Sequence, residues 1–301
     1  MNQKQALTAD FHFKHWKRYL AISAGIIAVG IYLFSAWNPN QNKAIIDHHG
    51  TPHPALIQLF HLTKVPFKKG MTLGEVTHNT RKQWFQGAQK ERWEFENRFE
   101  VQRMAIVAAL QALEMVNERK PQVKHYTYAW IHGALAQSIE LRIQYLITQW
   151  KQGVRFQEIV LLAGDRALEP IKEKIWTEKG LKTESEVMEW LWKNTHKPQA
   201  LQSLPYRLIK ASQWVDQNGQ PKRPGTKDTI WAWLKQYPEP GRILAISHQP
   251  FCTYQHVGAL GVLPMRFKLE TIGPAASDVT PVSVYLDNLA RVIYEINLQN
   301  G

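Results

Sequence analysis

The sequence predicts an α/β chain: a doubly wound, mostly parallel, Rossmann-like sheet preceded by an N-terminal transmembrane helix and a helical segment. Beyond Lys124, strand-like apolar runs alternate with amphipathic helical stretches, the signature of right-handed βαβ units. Within that half, Ile159, Val160, Leu161, Leu162 and Ala163 form an uninterrupted apolar run, as suits a strand covered on both faces. Ahead of it, a charge-free apolar stretch is followed by a charge-rich one at helical spacing. The boundaries that follow are 1–18 for a basic cytoplasmic tail, 19–37 for the anchor and 38–72 for a linker and irregular segment. Residues 73–122 read as the helical segment and 123–301 as the α/β domain.

In the tail, Lys4, Lys14, Lys17 and Arg18 stand against a single Asp10, and Tyr19–Trp37 then carries no charge. At about 1.5 Å per residue, a run of about 19 residues crosses a hydrocarbon core of ~30 Å. Trp16, Tyr19 and Trp37 sit where interfacial aromatics belong, and the basic side comes first. The N-terminus is therefore expected in the cytoplasm and the main domain across the membrane. FSAW is a poor cleavage site, which favours an uncleaved single-pass signal-anchor in a bacterial inner membrane, with a periplasmic domain.

Asn38-Pro39-Asn40-Gln41-Asn42 reads as a polar linker, followed by Asp47, His48, His49 and His53. Aspartate with imidazoles is metal-ligand chemistry, but solvated linker histidines are the plainer reading and no metal site is assigned. From Leu73 to Glu118 the pattern is helical, with Met104, Val107, Leu110, Leu113, Met115 and Val116 recurring and charges at i, i+4 until Pro121. This segment is a cover or spacer, and residues 75–118 are a candidate docking face for a protein partner.

The α/β elements then come in order. His125–Ile131 is strand-like and stops at His132-Gly133; a helix carrying Ile139, Ile143 and Leu146 runs to Trp150, with Gly153 as its stop. The Phe156–Ala163 strand breaks at Gly164 and delivers Asp165, Arg166 and Glu169. Thr183 caps a helix that opens on Glu184 and Glu186 and turns Val187, Met188 and Leu191 inward. Tyr206–Ala211 is a strand, the loop QNGQPKRPG follows, and Thr226 caps the helix around IWAWLKQ. Strands at Arg242–Ser247 and Phe267–Ile272 and an amphipathic helix at Val282–Leu298 complete the fold.

The chain's 301 residues give ample core for one large or two small domains. A net charge of +12 suits anionic partners. The Lys and Arg are scattered without a basic run among aromatics, so no nucleic-acid partner is expected. Twelve Trp are explained first by burial, with carbohydrate or lipid contact the sharper alternative. Cys252 is the only cysteine; it forms no intramolecular disulfide and is best read as a small buried hydrophobe.

In an open parallel sheet the carboxyl ends of the strands converge on one crevice. Those ends carry Gly133, then Gly164, Asp165 and Arg166, then Ser247, His248 and Gln249; the loop before the IWAWLKQ helix adds Thr226, Lys227 and Asp228. A helix N-terminus there presents free amides to an anion. The order Gly133, Arg142 on a helix, Gly164, Glu184 on the next helix and Thr226 resembles the YdcF/SanA/ElyC-like family of bacterial proteins, over roughly residues 125–275. The resemblance implies the same α/β fold and a role in envelope biogenesis or barrier function, and several members share a short N-terminal anchor. Three departures stand out: Thr229 where the family has asparagine, GDR in place of a glycine-rich strand end, and SHQPFCTYQ without the family's arginine.

The expected ligand is therefore an anionic envelope precursor, phosphorylated or sugar-linked. Arg142 and Lys227 would meet the anion and Thr226 would form an amide cup. Asp165 and Glu184 would do acid-base or metal-assisted work with His248 as proton carrier, as in a hydrolase or transferase if the chain is an enzyme. Gly133, Gly164, Arg166, Asp228, Ser247 and Gln249 complete the expected crevice; the sequence leaves any cofactor unknown. The alternatives are a non-enzymatic scaffold of a membrane complex, and a nucleotide or S-adenosylmethionine binder, for which no GxGxxG or GxxxxGK[ST] string is present.

Overall fold

The computed structural model describes residues 45–47, 49–87, 90–215 and 219–300. The basic tail, the Tyr19–Trp37 run and His48 lie outside the described residues. Among the described residues no helix is long and apolar enough to cross a membrane. The chain divides into two compact units at Pro54. In the first, Ile46 and Pro52 form an antiparallel bridge. Asp47 Oδ1 accepts from the amides of His49 and Thr51 at 2.9 and 2.8 Å, so this aspartate shapes a turn. Among the described residues no group of three or more His, Cys, Asp or Glu is placed to hold a metal.

The second unit holds the predicted α/β architecture. Helices α1 (Pro54–Leu62), α2 (Leu73–Trp84) and α3 (Arg103–Ala112) precede β1 (His125–His132), α4 (Ala136–Lys151) and β2 (Arg155–Gly164). Short α5 (Lys174–Glu178), then α6 (Glu184–Asn194) and short α7 (Gln199–Gln202), lead to β3 (Tyr206–Ala211). A two-stranded antiparallel ribbon, β4 (Trp214–Val215) and β5 (Pro221–Lys222), precedes α8 (Thr226–Leu234) and β6 (Arg242–Ile246). Helix α9 (Cys252–Leu260), β7 (Lys268–Ile272) and α10 (Val282–Asn300) end the chain.

All five strands of the main sheet are parallel, in the order β3-β2-β1-β6-β7. Alternation within β1 and β2 explains why both faces need cover. Ala129, Ile131, Ile159, Leu161 and Ala163 pack on one side with Ile139, Ile143 and Leu146 of α4 and Val187, Met188 and Leu191 of α6. Tyr128, Trp130, Val160 and Leu162 pack on the other with Ile230 and Trp233 of α8 and Ala259 of α9. Trp130 meets Trp233 edge-on at 4.8 Å, an arrangement the ring quadrupoles favour. Trp84, Trp130, Trp150, Trp192 and Trp233 are buried, which accounts for much of the high tryptophan content.

Thr183 caps α6 as its sequence predicts: it accepts from the Glu186 amide at 3.3 Å, and the Glu186 carboxylate accepts from the Thr183 amide at 3.2 Å. At α8 the cap is displaced by one residue. Gly225 is the N-cap, its amide bonded to Asp228 at 2.7 Å, and Thr226 is already helical.

The segment expected to be helical from 73 to 118 is instead interrupted. Helix α2 stops at Phe85, which is extended, and among the described residues only 3-10 turns at Arg92–Glu94 and Glu100–Gln102 intervene before α3. Tertiary hydrogen bonds override the helical charge pattern. The Gln86 side chain closes a loop on the Glu96 backbone, donating at 3.0 Å and accepting at 3.2 Å, while the Gln86 amide donates to buried Asp287 at 3.0 Å. Helix α10 packs against α2, α3 and α9, so these helices are part of the α/β body.

Candidate functional site

Strand β1 turns to β2 on one side, while β6 lies on its other side. This is the switch point where a parallel sheet opens a crevice. A cleft of about 610 Å³ lies there, lined by the ends of β1 and β2, the start of α8, the loops after β6 and β7, and Glu91, Arg92 and Trp93 from the interrupted segment.

Its floor is set by two close approaches. Glu184, in the first turn of α6, inserts its buried carboxylate over the ends of β1 and β2. Oε1 accepts from the Gly164 amide at 2.8 Å and Oε2 from Arg166 Nε at 2.8 Å. A Cβ at position 133 would come within 2.0 Å of Glu184 Oε1, which is why glycine ends β1. Arg166 is fully engaged: besides Glu184 it donates to both oxygens of buried Glu173 at 2.7 and 3.0 Å and to the carbonyls of Ala134 and Ala167. Burial raises the Glu184 carboxyl above its ordinary range, with Arg166 and the Gly164 amide opposing it. Both residues border the cleft, but their contacts make them its frame.

Arg142 is different. It is only 2% exposed, and its Nη1 donates to the carbonyls of His132 and Gly133 at 2.6 and 2.9 Å. Its Nε donates to His248 Nδ1 at 3.2 Å. Among the described residues no carboxylate pairs with it and Nη2 makes no hydrogen bond. Burial pushes its guanidinium down to about 10, so it stays charged at neutral pH. Because His248 accepts at Nδ1, its proton sits on Nε2. Burial, then Arg142 and Arg92, hold His248 well below the usual imidazole range. This arrangement favours the neutral imidazole with its proton on Nε2. His132, sealed beside it with Nε2 unpartnered, is pushed down to about 3 by burial and Arg142.

Of the residues expected in the crevice, Gly133, Arg142, Gly164, Arg166, Glu184, Thr226 and His248 line one cleft. The others do not line it. Asp165 accepts from the Ser185 hydroxyl at 3.1 Å and does not line the cleft, whereas Glu184 does. Lys227 pairs with Glu295 of α10 at 2.5 Å, Asp228 caps α8, and Gln249 ties down the carbonyls of Glu114 and Asn117 at 2.8 and 3.0 Å. Ser247 is fully buried beneath the site. Cys252 is buried too, its thiol pushed up to about 11 by burial, and does not border the cleft.

Sequence reasoning missed the wall that faces these strands. Arg92 lies over the Phe251 ring at 4.5 Å from its centroid, and Phe251 packs edge-on against His248 at 4.9 Å. Arg223 pairs with Glu91 at 2.7 Å at the mouth. Trp93, Tyr254, Val279 and Pro281 complete that side. Nothing in the local pattern around Arg92 marks it, since its helical-looking neighbours place it by tertiary contact alone. No protein-family model matches the chain, and neither a curated protein nor a solved structure matches it.

Proposed function

We propose that this chain is a divergent YdcF/SanA/ElyC-like protein, anchored in the inner membrane through Tyr19–Trp37 with its α/β domain in the periplasm. It acts in envelope biogenesis or maintenance by binding an anionic, phosphorylated or sugar-linked ligand in the cleft. The observation that carries the binding reading is Arg142: a buried guanidinium lining the cleft that has no carboxylate partner among the described residues. Burying an unpaired charge is costly, and an anionic ligand removes that cost. The start of α8 at Gly225 and Thr226 adds the positive end of a helix.

Titrating the purified full chain with phosphate-bearing and carboxylate probes tests this reading. Binding by the parent with at least tenfold weaker binding by Arg142→Gln, about 1.4 kcal/mol, is the expected result; equal binding by both proteins overturns it. Localisation is tested separately with reporters fused after Gly301. Activity only of the reporter that works outside the cytoplasm supports the anchor, and activity only inside refutes the orientation.

A scaffold role is the second reading, favoured by two exposed apolar side chains on the helical segment, Val101 at 97% and Met104 at 89% exposure. In that case Val101→Glu with Met104→Glu abolishes function in cells while Arg142→Gln does not.

A further inference from the structure

The described acidic groups lining the cleft are Glu91, Glu169 and Glu184. Glu91 is paired with Arg223 and Glu184 with Arg166, and the Glu169 carboxylate accepts from the Lys172 amide. Two lining guanidiniums, Arg92 and Arg142, have no ion pair among the described residues. Arg92 forms no side-chain hydrogen bond there either, and its Nε is sealed from solvent. The two are linked through a short chain of contacts: Arg142 Nε to His248 Nδ1 at 3.2 Å, His248 to the Phe251 ring at 4.9 Å, and Arg92 over that ring at 4.5 Å. Arg142 thus touches His248 directly, and Arg92 acts on it electrostatically from across the Phe251 ring; the imidazole's remaining ring nitrogen, Nε2, carries a proton and has no hydrogen-bond partner among the described residues.

Two like charges that line one cleft, close enough for Arg92 to act on Arg142, repel unless an anion lies between them. A carboxylate or a phosphodiester brings one negative charge and leaves one guanidinium uncompensated. A phosphomonoester brings two charges and three terminal oxygens, enough to meet two guanidinium edges and one N–H donor. We infer that the cleft is a phosphomonoester site in which Arg92, from the interrupted segment outside the sheet, is the second anion-binding residue beside Arg142 and the His248 Nε2–H. This rests on the cleft-binding reading of the preceding subsection and adds the ligand's charge and the residue that selects it.

The test is calorimetric titration of the full chain at pH 8 with phenyl phosphate, methyl phenyl phosphate and benzoate, comparing the parent with Arg92→Gln, Arg92→Lys and Arg142→Gln. The parent prefers phenyl phosphate to the diester by about tenfold or more. Arg92→Gln loses about tenfold for phenyl phosphate and little for the diester, so the preference collapses, and Arg92→Lys restores part of it. A merely structural role for Arg92 would weaken all three probes alike, which overturns the inference. If Arg142→Gln weakens every probe while Arg92→Gln binds as the parent does, Arg92 is excluded and the cleft reading survives. If both variants bind as the parent does, both readings fall. A parent that binds benzoate through Arg142 but prefers no phosphomonoester overturns this inference alone. Phosphatidylcholine vesicles with and without phosphatidic acid distinguish the ligand's source. Competition with phenyl phosphate only by the doped vesicles assigns a lipid headgroup, and its absence assigns a soluble phosphomonoester.

Discussion

At the scale of single residues, the cleft floor is organised by one carboxylate and the two glycines beneath it. Glu184 binds the Gly164 amide and Arg166, and a methyl group at position 133 would overlap its Oε1, 2.0 Å away. Gly133→Ala therefore forces the carboxylate off Arg166, at a cost expected to be about 2–3 kcal/mol. Equilibrium urea unfolding measures it. In a Glu184→Ala background the same substitution should cost less than half as much, because the obstructing oxygens are gone. Additive losses would show that Gly133 is required for another reason. A comparable approach occurs where β7 leaves the sheet: a Cβ at Gly273 would lie 2.6 Å from the Ser247 carbonyl oxygen, a backbone atom that has little room to yield. The path that sets His248 in the cleft thus depends on a second small residue.

At the scale of elements, the segment between α2 and α3 owes its shape to partners distant in sequence. Asp287, fully buried on α10, accepts from the Gln86 amide at 3.0 Å and from Arg291 at 2.7 Å. Removing it leaves a buried amide and a guanidinium unpaired, so Asp287→Ala is expected to cost about 3 kcal/mol. The loss should be local as well as global: cleavage by a protease between residues 85 and 102 should rise well before the sheet unfolds. Since Arg92 rides on this segment, phenyl phosphate binding should weaken in parallel. Unchanged cleavage with unchanged binding would mean that the segment is held from elsewhere.

At the scale of the whole molecule, stability should depend on pH through histidines buried in the neutral form. Burial, with Arg142 and Arg119 respectively, pushes His132 down to about 3 and His256 down to about 4, from an ordinary 6.5; His248 moves the same way. Below pH 6.5 the unfolded chain takes up protons that the folded chain refuses, so stability is lost as pH falls and is fully present above that value. At about 1.4 kcal/mol per pH unit for each group, His132 and His256 together should lower the unfolding free energy by about 4 kcal/mol between pH 7 and pH 5. Denaturant midpoints at the two values check this, and a midpoint that rises on acidification would contradict neutral buried imidazoles.

Much of the architecture was legible in one dimension because it is written in local periodicity. The continuous apolar run of β2 demanded two covered faces, and it has them. The Thr183 cap, the glycine-terminated strands and the alternation of strand and helix are all near-neighbour patterns. Placing Gly133, Gly164 and His248 around one cleft followed from parallel topology, while Arg142 and Glu184 were singled out through the family resemblance. What the pattern of residues could not decide was which of two adjacent side chains enters that cleft and which turns away. Arg166 lines it while Asp165 bonds Ser185. Lys227 leaves for Glu295, and Arg92 arrives from a stretch whose charges read as helical surface. These outcomes depend on partners dozens to hundreds of residues away. Hydrogen bonds and ion pairs across such distances are fixed only once the layers have packed, so tertiary structure alone distinguishes the cations engaged in ion pairs from those without one among the described residues.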